Sequence, residues 1–513
     1  LEWPLRLNTI FVARNDQSQM SEPRTIEKTE KSAGMGEILL ENTLSNRKEV
    51  FAPLHPGEVR MYTCGPTVYD YAHIGNYRTF VFQDILRRFL RSRGFRMNHV
   101  MNLTDVDDRI IQNAAEKGIS IFDYTAKYIQ AFKEDMAALS LETPEHLIRA
   151  TDHIDDMVAL IEKLDAKGMT YRSDGSIYYR IAKFPDYGKL SKVDLSGIQA
   201  GARVEVDRYE KADARDFALW KSPKPGEHFW ETRIGQGRPG WHIECSAMAM
   251  KYLGETLDIH TGGVDLTFPH HENEIAQSEG VTGHPFVKYW LHAEHLIIDG
   301  EKMSKSLGNF YTLRDLLKKG HKPSTIRYML ASVPYRRQLN FTGESIQQAA
   351  SSVERLRNFV ARIKEGKFPA GANPGMAARA QKAEADFEAG LADDLNTAVA
   401  LAAIFDLVRD VNTAIDRCEF HQQDAPHVLA AMRKFDAIFA VIEDNDAAKV
   451  RALGFESGAP EMGAAEIDAL VAKRQQARKE RNFKRADEIR QELAERGILL
   501  EDTREGGIRW KKK

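Results

Sequence analysis

Four residues at the start of a predicted helix have the types and spacing of a phosphate-binding site. His73, Ile74, Gly75 and Asn76 follow a β pattern, EVRMYTC at residues 58–64, and a GPT turn. An anion can bind at the start of a helix, because free backbone N–H groups and the positive end of the helix dipole lie there. Gly75 lets a base or ribose approach the backbone, and His73 and Asn76 can donate hydrogen bonds to phosphate oxygens. A capped helix with a surface histidine has the same pattern, so the tetrapeptide alone does not decide.

A second motif, KMSKS at residues 302–306, adds positive charge. It contains two lysines, Lys302 and Lys305, and two hydroxyls, one of them on Ser304. Such a loop can close over a triphosphate and neutralise the departing pyrophosphate. A solvated basic turn would explain two lysines alone, but the full string, found together with the first motif in this order, argues against that reading.

Two cysteines, a histidine and a glutamate form a candidate metal site. Cys64 ends the first predicted strand, Cys245 lies in GWHIECSAM, and His270 and Glu274 stand at i and i+4 in FPHHENE. The i, i+4 spacing puts the last two on one helix face. Thiolate, imidazole and carboxylate together suit zinc. Two buried thiols beside a polar helix face would look the same, because the spacing is unlike that of a zinc finger. Three nearby histidines are competing ligands: His242, His260 and His271.

The elements that must position these residues alternate between strand and helix. Apolar periodicity predicts a helix from His73 to Gly94, a strand in FRMNHVMNLTD, and one helical stretch over about 106–139. This order predicts an α/β fold with a parallel sheet and helices packed on it. Short strands and turns within 150–226 indicate an insertion. The chain is almost wholly helical from about 345, and a strongly basic helix is predicted over 471–490.

Bulk composition narrows the class of protein. A length of 513 residues predicts three or more domains, and 42% hydrophobic with 29% charged residues is typical of soluble globular proteins. The net charge of −3 argues against a protein that coats polyanions, although local basic faces remain compatible with RNA. Three scattered cysteines, of which Cys418 is the third, predict no disulfide framework and a reducing, cytoplasmic location. No apolar run is long enough to span a membrane.

The two phosphate motifs resemble the signatures of class I aminoacyl-tRNA synthetases, His-Ile-Gly-His and Lys-Met-Ser-Lys-Ser on a Rossmann-like fold. Asn76 departs from the first signature. It can donate a hydrogen bond but cannot become cationic, which would weaken transition-state stabilisation by on the order of 1 kcal/mol. Further segments resemble the cysteinyl-tRNA synthetase family, from about residue 37 to the C-terminus and densely across 58–310: MYTCGPTVYD, HIGN, NLTDVDD, DFALWK, PGWHIECSAM, TGGVDLTFPHHENE and KMSKS.

This resemblance implies a role for each candidate residue. The implied zinc ligands, with one ion per chain, are Cys64, Cys245, His270 and Glu274. The implied catalytic residues are His73, Asn76, Lys302 and Lys305. The ATP site, which takes Mg²⁺ with its nucleotide, adds Gly75 and Ser304. The hypothesised pocket for the amino acid consists of Gly65, Thr67, Thr104, Trp241 and Asp265.

The implied reaction is ATP-dependent attachment of L-cysteine to tRNA(Cys) through a cysteinyl adenylate. Zinc suits this substrate, because a thiol with a pKa near ~8.5 loses its proton on coordination whereas an alcohol resists ionisation. Discrimination against serine on the order of 10⁴ then becomes possible without editing. Four protein ligands usually close a zinc site, so the substrate thiolate must become a fifth ligand or displace a weak one, for which Glu274 is the first candidate.

The implied partners and domains complete the hypothesis. The helical region resembles an anticodon-binding bundle, and the basic helix with Trp510 is expected to contact RNA. A monomer is expected. Two alternatives stay open: a cysteine:amino-sugar ligase of the same superfamily, and a non-catalytic RNA-binding paralogue. The predicted divisions are a disordered extension (1–36), the first half of the catalytic domain (37–149), a connective-peptide insertion (150–226), the second half (227–286), the KMSKS loop and stem-contact region (287–345), a helical tRNA-binding bundle (346–452) and a small basic domain (464–513).

Overall fold

The computed structural model describes residues 36–193, 215–304, 307–455, 464–480, 482–495, 498–502 and 508–512. Glu37–Lys513 is one unit of mutually packed elements. The predicted extension 1–36, apart from Gly36, lies outside the described residues, and so does Lys305.

The elements are numbered here in chain order. The strands are β1 (Leu39–Asn42), β2 (Arg47–Val50), β3 (Glu58–Thr63), β4 (Arg96–Leu103), β5 (His146–Arg149), β6 (Thr170–Ser173), β7 (Ser176–Tyr179), β8 (Phe217–Lys221), β9 (Arg238–Pro239), β10 (Leu257–Gly263), β11 (Val287–Ala293), β12 (Leu296–Ile298), β13 (Glu301–Lys302), β14 (Leu339–Phe341), β15 (Ile498–Asp502) and β16 (Ile508–Lys512). The helices are α1 (Ile74–Ser92), α2 (Asp108–Lys117), α3 (Ile121–Ala138), α4 (Ile154–Ala166), α5 (Trp241–Leu253), α6 (Glu272–Thr282), α7 (Leu313–Lys318), α8 (Pro323–Ala331), α9 (Gly343–Glu365), α10 (Pro374–Ala392), α11 (Thr397–Asp416), α12 (Ala425–Phe439), α13 (Asp446–Ala452), α14 (Ala464–Lys479) and α15 (Phe483–Glu495).

A five-stranded parallel sheet organises the site. Its strand order is β11-β10-β3-β4-β5, and every neighbouring pair is parallel. The chain builds outward from β3 to β4 and β5, then returns to place β10 and β11 on the other side. The order therefore reverses between β3 and β10, and ligands of open α/β sheets bind at such a point, beyond the carboxyl ends of the strands. The predicted α/β class with a parallel sheet is confirmed.

Helix α1 follows β3 directly and packs its apolar side into the main core. It begins at His73, which caps it, and Gly94 beyond its end has a φ of 88° that suits glycine. The long helical stretch expected over about 106–139 consists of two helices, α2 and α3. Gly118 has a φ of 64° and ends α2, and Ser120 accepts a hydrogen bond from the backbone N–H of Asp123 to start α3.

The strands of the insertion, β6 to β8, form an antiparallel sheet with β9, which lies beyond the predicted boundary at 226, in the order β6-β7-β8-β9. This sheet is tied to α6, because the hydroxyl of Tyr179 donates to the carbonyl of Ala276 at 2.8 Å. The buried carboxylate of Glu272 also accepts from the backbone N–H groups of Gly188 and Ser191, each at 2.8 Å. The insertion therefore braces the helix that carries the candidate metal ligand Glu274.

The C-terminal part is helical, ending in a two-stranded hairpin of β15 and β16. The continuous basic helix expected over 471–490 was wrong, because α14 ends at Lys479 and α15 begins at Phe483. Trp510 packs on a small core containing Ile467 and Ile489, and its indole N–H donates to Asp468 at 2.6 Å. Among the described residues, no helix combines the length and hydropathy needed to cross a bilayer.

Candidate metal centre and nucleotide site

Four ligand side chains meet where the strand order reverses. Cys64 follows β3, and Cys245 lies in the second turn of α5. His270 lies in the short helical turn Thr267–His271 that leads into α6, and Glu274 lies in the first turn of α6. All four are buried, and one ligand atom from each lies within 4.8 Å of the others. The Sγ atoms of Cys64 and Cys245 are 4.0 Å apart, and His270 Nε2 is 3.1 Å from Glu274 Oε1. The structure therefore brings together the whole predicted ligand set.

Electrostatics divides these four side chains into charged and neutral members. A hydrogen bond from Cys64 lowers the pKa of Cys245 to about 6 despite burial, whereas burial and the neighbouring Cys245 raise the pKa of Cys64 well above its usual range. Burial opposes charge on His270, but Cys245 and Glu274 raise its pKa to about 10. Burial likewise opposes charge on Glu274, yet His260 and His270 lower its pKa to about 2. These pKa shifts favour the anionic forms of Cys245 and Glu274 and the cationic form of His270.

This donor set fits zinc. Two sulfurs, one imidazole and one carboxylate are ligands that zinc accepts, and their separations match the edges of a small coordination polyhedron. Binding would replace the proton on His270 and the proton on Cys64 with the metal charge. The sheet and α6 already hold the side chains together, so little ordering is left for the metal to impose.

A second set of donors shares two of these ligands. Cys64 and Glu274 also lie within 4.8 Å of ligand atoms on His260 and His271. His260 Nε2 contacts Glu274 Oε2 at 2.9 Å, which is the contact expected of a residue that orients a metal-binding carboxylate. His271 Nδ1 lies 2.7 Å from His292 Nε2. The competition that the sequence left open therefore has a structural basis.

His242 has a different position from the other two histidines. Its Nδ1 lies 2.9 Å from Nδ1 of His270, whose other ring nitrogen, Nε2, contacts Glu274. Such a partner can fix the ring orientation of a metal-binding histidine.

The five residues hypothesised to bind the amino acid differ in their exposure and in their contacts. Trp241 is half-exposed and stacks on the ring of His270, with ring centroids 4.2 Å apart. The hydroxyl of Thr104 is buried and donates to Glu244 at 3.0 Å, so it is committed within the protein. Thr67 pairs with Thr104 through the backbone, and Asp265 is exposed just beyond β10.

Gly65 has a strict steric reason to be glycine. Its N–H donates to the side chain of Asn102 at 2.9 Å. A Cβ at this position would lie 1.8 Å from the backbone oxygen of Asn102, so any other residue would displace β4 or the Cys64 segment.

The first phosphate motif forms the beginning of α1, with a difference from the prediction. The N–H of Ile74 donates to the carbonyl of Tyr311 at 2.9 Å, and the N–H of Asn76 donates to Nδ1 of His73 at 3.2 Å. These two groups are therefore not the free donors that the sequence suggested. Phosphate binding here would depend on the His73 side chain and the helix dipole rather than on those N–H groups.

The described part of the second motif lies against the first. A Cβ on Gly75 would be 3.2 Å from Cε of Met303, and the ring of Phe310 packs edge-on against His73 at 5.3 Å. Lys302 is exposed at the end of β13. The N–H of Ser304 donates to Oδ1 of Asn309 at 2.8 Å, which draws the two ends of the loop together.

Several residues near the site carry no motif that sequence reasoning would single out. His292 contacts both His271 and Thr43 through its ring nitrogens, and Glu244 accepts a hydrogen bond from Thr104. Asn309 and Phe310 contact Ser304 and His73. Asn309 directly follows KMSKSLG, so its position was visible, but its contact was not.

A parallel sheet with its site at the reversal of strand order, and with these two motifs beside it, defines a class I aminoacyl-tRNA synthetase. Residues 50–351 match the family described as the tRNA synthetases class I (C) catalytic domain. Residues 386–443 match the DALR domain, and residues 461–510 match the cysteinyl-tRNA ligase anticodon binding domain.

Comparison with curated proteins shows to which family of class I aminoacyl-tRNA synthetases the chain belongs. The chain is 56% identical over 490 residues to a cysteine–tRNA ligase of Koribacter versatilis, covering 92% of this chain and 99% of that protein. It is 57% identical over 472 residues to the cysteine–tRNA ligase of Solibacter usitatus, with the same coverage. The chain belongs to the cysteinyl-tRNA synthetase family.

A solved structure with a related fold is Mycobacterium tuberculosis methionyl-tRNA synthetase in complex with methionyl-adenylate. It has a TM-score of 0.56 and 16% identity, and it covers 78% of this chain and 94% of that one. At this identity the likeness concerns the fold alone.

Proposed function

We propose that this chain uses ATP, with Mg²⁺, to join L-cysteine to tRNA(Cys) through a cysteinyl adenylate. One observation carries the proposal: two cysteines, a histidine and a glutamate converge at the reversal of strand order, next to the helix that begins with HIGN. Family membership supports the same reaction, because the curated relatives are named cysteine–tRNA ligases. One zinc per chain, a monomeric state and a cytoplasmic location form part of the proposal.

Cysteine selection is assigned to the buried cluster. Cys64, Cys245, His270 and Glu274 would hold zinc, which supplies a borderline-soft Lewis acid that favours a thiolate over an alcohol. Glu274 presents the hardest donor of the four, and His260 holds one of its oxygens at 2.9 Å. The carboxylate can therefore loosen on the metal side while keeping a hydrogen-bond partner.

The pocket for the rest of the amino acid surrounds that cluster. Trp241, fixed by stacking on His270, provides a half-exposed apolar wall. Asp265 would pair with the substrate ammonium, while Gly65, Thr67 and Thr104 would shape the floor between β3 and β4. With its hydroxyl donated to Glu244, Thr104 acts through its shape rather than as a donor to the substrate.

Adenylate formation is assigned to the two phosphate motifs. The substrate carboxylate attacks the α-phosphate of ATP in line, and pyrophosphate leaves. His73, Lys302 and Lys305 stabilise the charge that develops on the phosphates, and Gly75 and Ser304 let the nucleotide approach the backbone. Because no covalent enzyme intermediate is required, positioning and electrostatics account for the rate.

The acceptor is assigned to tRNA rather than to a small molecule. A small acceptor needs no anticodon-binding region, whereas this chain continues through a DALR domain and a domain described as binding the anticodon. The helices α14 and α15 carry many lysines and arginines that suit contacts to RNA phosphates.

The test is ATP–pyrophosphate exchange with purified full-length protein, driven by cysteine or by serine. Exchange with cysteine is expected to exceed exchange with serine by on the order of 10⁴ in kcat/KM. A second assay offers tRNA and an amino-sugar as acceptors, and only tRNA is expected to be charged. Comparable exchange with serine would contradict thiol selection, and transfer to the amino-sugar would contradict the assigned acceptor.

A further inference from the structure

The first turn of α1 is closed by a reciprocal pair of hydrogen bonds between two residues of the first motif. The backbone N–H of His73 donates to Oδ1 of Asn76 at 3.1 Å. The backbone N–H of Asn76 is shared between Nδ1 of His73 at 3.2 Å and the carbonyl of His73 at 2.9 Å. This is a capping box in which both members are side chains of the phosphate motif. Because Nδ1 accepts a hydrogen bond, it carries no hydrogen, and the ring hydrogen lies on Nε2.

The His73 ring is also confined on both sides. A Cβ on Gly75 would lie 2.9 Å from Nδ1, so the ring rests close against the backbone of the first turn. The edge-on contact with Phe310, at an interplanar angle of 78°, limits rotation from the other side. The ring is therefore held from two sides, and Nε2–H is the donor that we assign to a phosphate oxygen.

We propose that Asn76 is a positioning residue for His73 and does not itself contact the triphosphate. Its amide oxygen holds the His73 backbone in the capping conformation, which keeps the ring over Gly75 and its hydrogen on Nε2. The inference rests on the proposed function of the two motifs. It also accounts for an asparagine at the place of the second signature histidine, because a short acceptor is what reciprocal capping requires.

Among the described residues, the capping boxes of α7 and α9 support the size argument. At the start of α7, the N–H of Thr312 donates to the side chain of Asp315 at 3.0 Å. At the start of α9, the N–H of Thr342 donates to the hydroxyl of Ser345 at 2.9 Å. A short polar side chain three residues after the cap is thus sufficient, and serine provides a conservative replacement for Asn76.

The test is a double-mutant cycle with His73→Ala, Asn76→Ala and the double variant, read by ATP–pyrophosphate exchange with cysteine. Asn76→Ala alone is expected to lower kcat about five- to tenfold, the effect of one lost hydrogen bond, with KM for ATP and cysteine little changed. In the His73→Ala background the same change is expected to cost less than about twofold. An equal loss in both backgrounds would mean that Asn76 contacts substrate directly, and would overturn the proposal.

Controls separate positioning from a loss of stability. Asn76→Ser is expected to restore most of kcat. Ser345→Ala removes the matching capping bond of α9, far from either motif in sequence, and is expected to lower the melting temperature to a similar extent without changing kcat. Loss of exchange in Ser345→Ala, or no rescue by Asn76→Ser, would contradict a specific role.

A spectroscopic readout keeps the proposal testable if Asn76→Ala folds poorly. In histidine labelled with ¹⁵N, the His73 ring is expected to show the Nε2–H tautomer in the wild type and in Asn76→Ser. The Nδ1–H tautomer in the wild type would overturn the proposal. Absence of cysteine-dependent exchange in the wild type would instead contradict the proposed function. The tautomer of His73 would still be tested by the ¹⁵N spectrum alone.

Discussion

The metal cluster and the phosphate motifs each include one segment that follows β3, Cys64 in the cluster and HIGN in the motifs, but the two regions are built differently. The four metal ligands are buried, come from three separate parts of the chain and contact one another. The phosphate motifs are two short continuous strings whose charged groups include the exposed Lys302. The cluster is therefore preorganised by packing, whereas much of the phosphate site depends on a helix start and a loop.

This difference corresponds to the two tasks proposed for the site. Telling sulfur from oxygen requires donors whose geometry does not adapt to the wrong substrate, and burial of the ligands provides that rigidity. Handling ATP requires charge that can approach and withdraw as pyrophosphate leaves, and the exposed Lys302 can supply such charge. On the phosphate side, the half-buried His73 is held by contacts with Asn76, Gly75 and Phe310.

Removing a buried ligand should have the largest effect. Cys245→Ala is expected to reduce bound zinc far below one per chain and cysteine-dependent exchange by at least about 10³-fold, because the remaining donors no longer close the site. Metal analysis and exchange kinetics measure both effects. The exposed thiol of Cys418 provides the control, since Cys418→Ala should change neither. Full zinc content with normal exchange in Cys245→Ala would show that the cluster is not the metal site.

A change on the phosphate side should separate catalysis from metal binding. Lys302→Ala is expected to lower kcat for exchange by about 10²-fold, with zinc content and cysteine KM unchanged, because it removes charge that stabilises the departing pyrophosphate. Lys305→Ala is expected to act in the same way. Lys364, exposed on α9, gives a charge-matched control that should be silent. Loss of zinc in Lys302→Ala would mean that the two regions are not independent.

The same difference determined what the sequence could predict. HIGN and KMSKS are continuous strings, and the periodicity around them predicted α1, β4 and the parallel sheet. The metal ligands span 64 to 274, and spacing alone left His242, His260 and His271 as competitors; only the resemblance selected one set. The bond from His73 to Asn76 was not predicted, because capping by histidine is unusual and free N–H groups were expected instead. The breaks at Gly118 and after Lys479 were missed because charged and apolar residues continue across both.

A residue outside the predicted ligand set should tune the metal without abolishing it. His260→Gln is expected to weaken zinc binding by about 10- to 100-fold, since His260 orients the carboxylate of Glu274. Competition with a chelator measures the affinity. His284→Gln, an exposed histidine just beyond α6, should leave it unchanged. Complete loss of zinc in His260→Gln, together with retained zinc in Cys245→Ala, would instead assign the metal to the second donor set.

The smallest expected effect is on the pH dependence of stability, through His99 in the parallel sheet that supports both regions. Burial, and then the nearby charge of Arg87, lower the pKa of His99 on β4 to about 3 from an ordinary value of 6.5. Between these values the unfolded state binds the proton and the folded state does not, so His99 makes stability fall as pH drops from 6.5 towards 3. Between pH 7 and pH 4, the free energy of unfolding of the wild type is expected to decrease. The decrease in His99→Gln is expected to be smaller by about 2 to 3 kcal/mol.

Urea unfolding at the two pH values measures this difference, with His55→Gln, an exposed histidine, as the control. Other buried groups titrate in the same range, but they are common to both proteins and cancel in the comparison. The Nε2 atom of His99 lies 2.9 Å from the hydroxyl of Thr63, the residue before Cys64. Protonation of His99 would therefore disturb the end of β3, and zinc should be lost at a higher pH from the wild type than from His99→Gln. Identical pH profiles in the two proteins would show that β4 does not couple acid unfolding to the metal cluster.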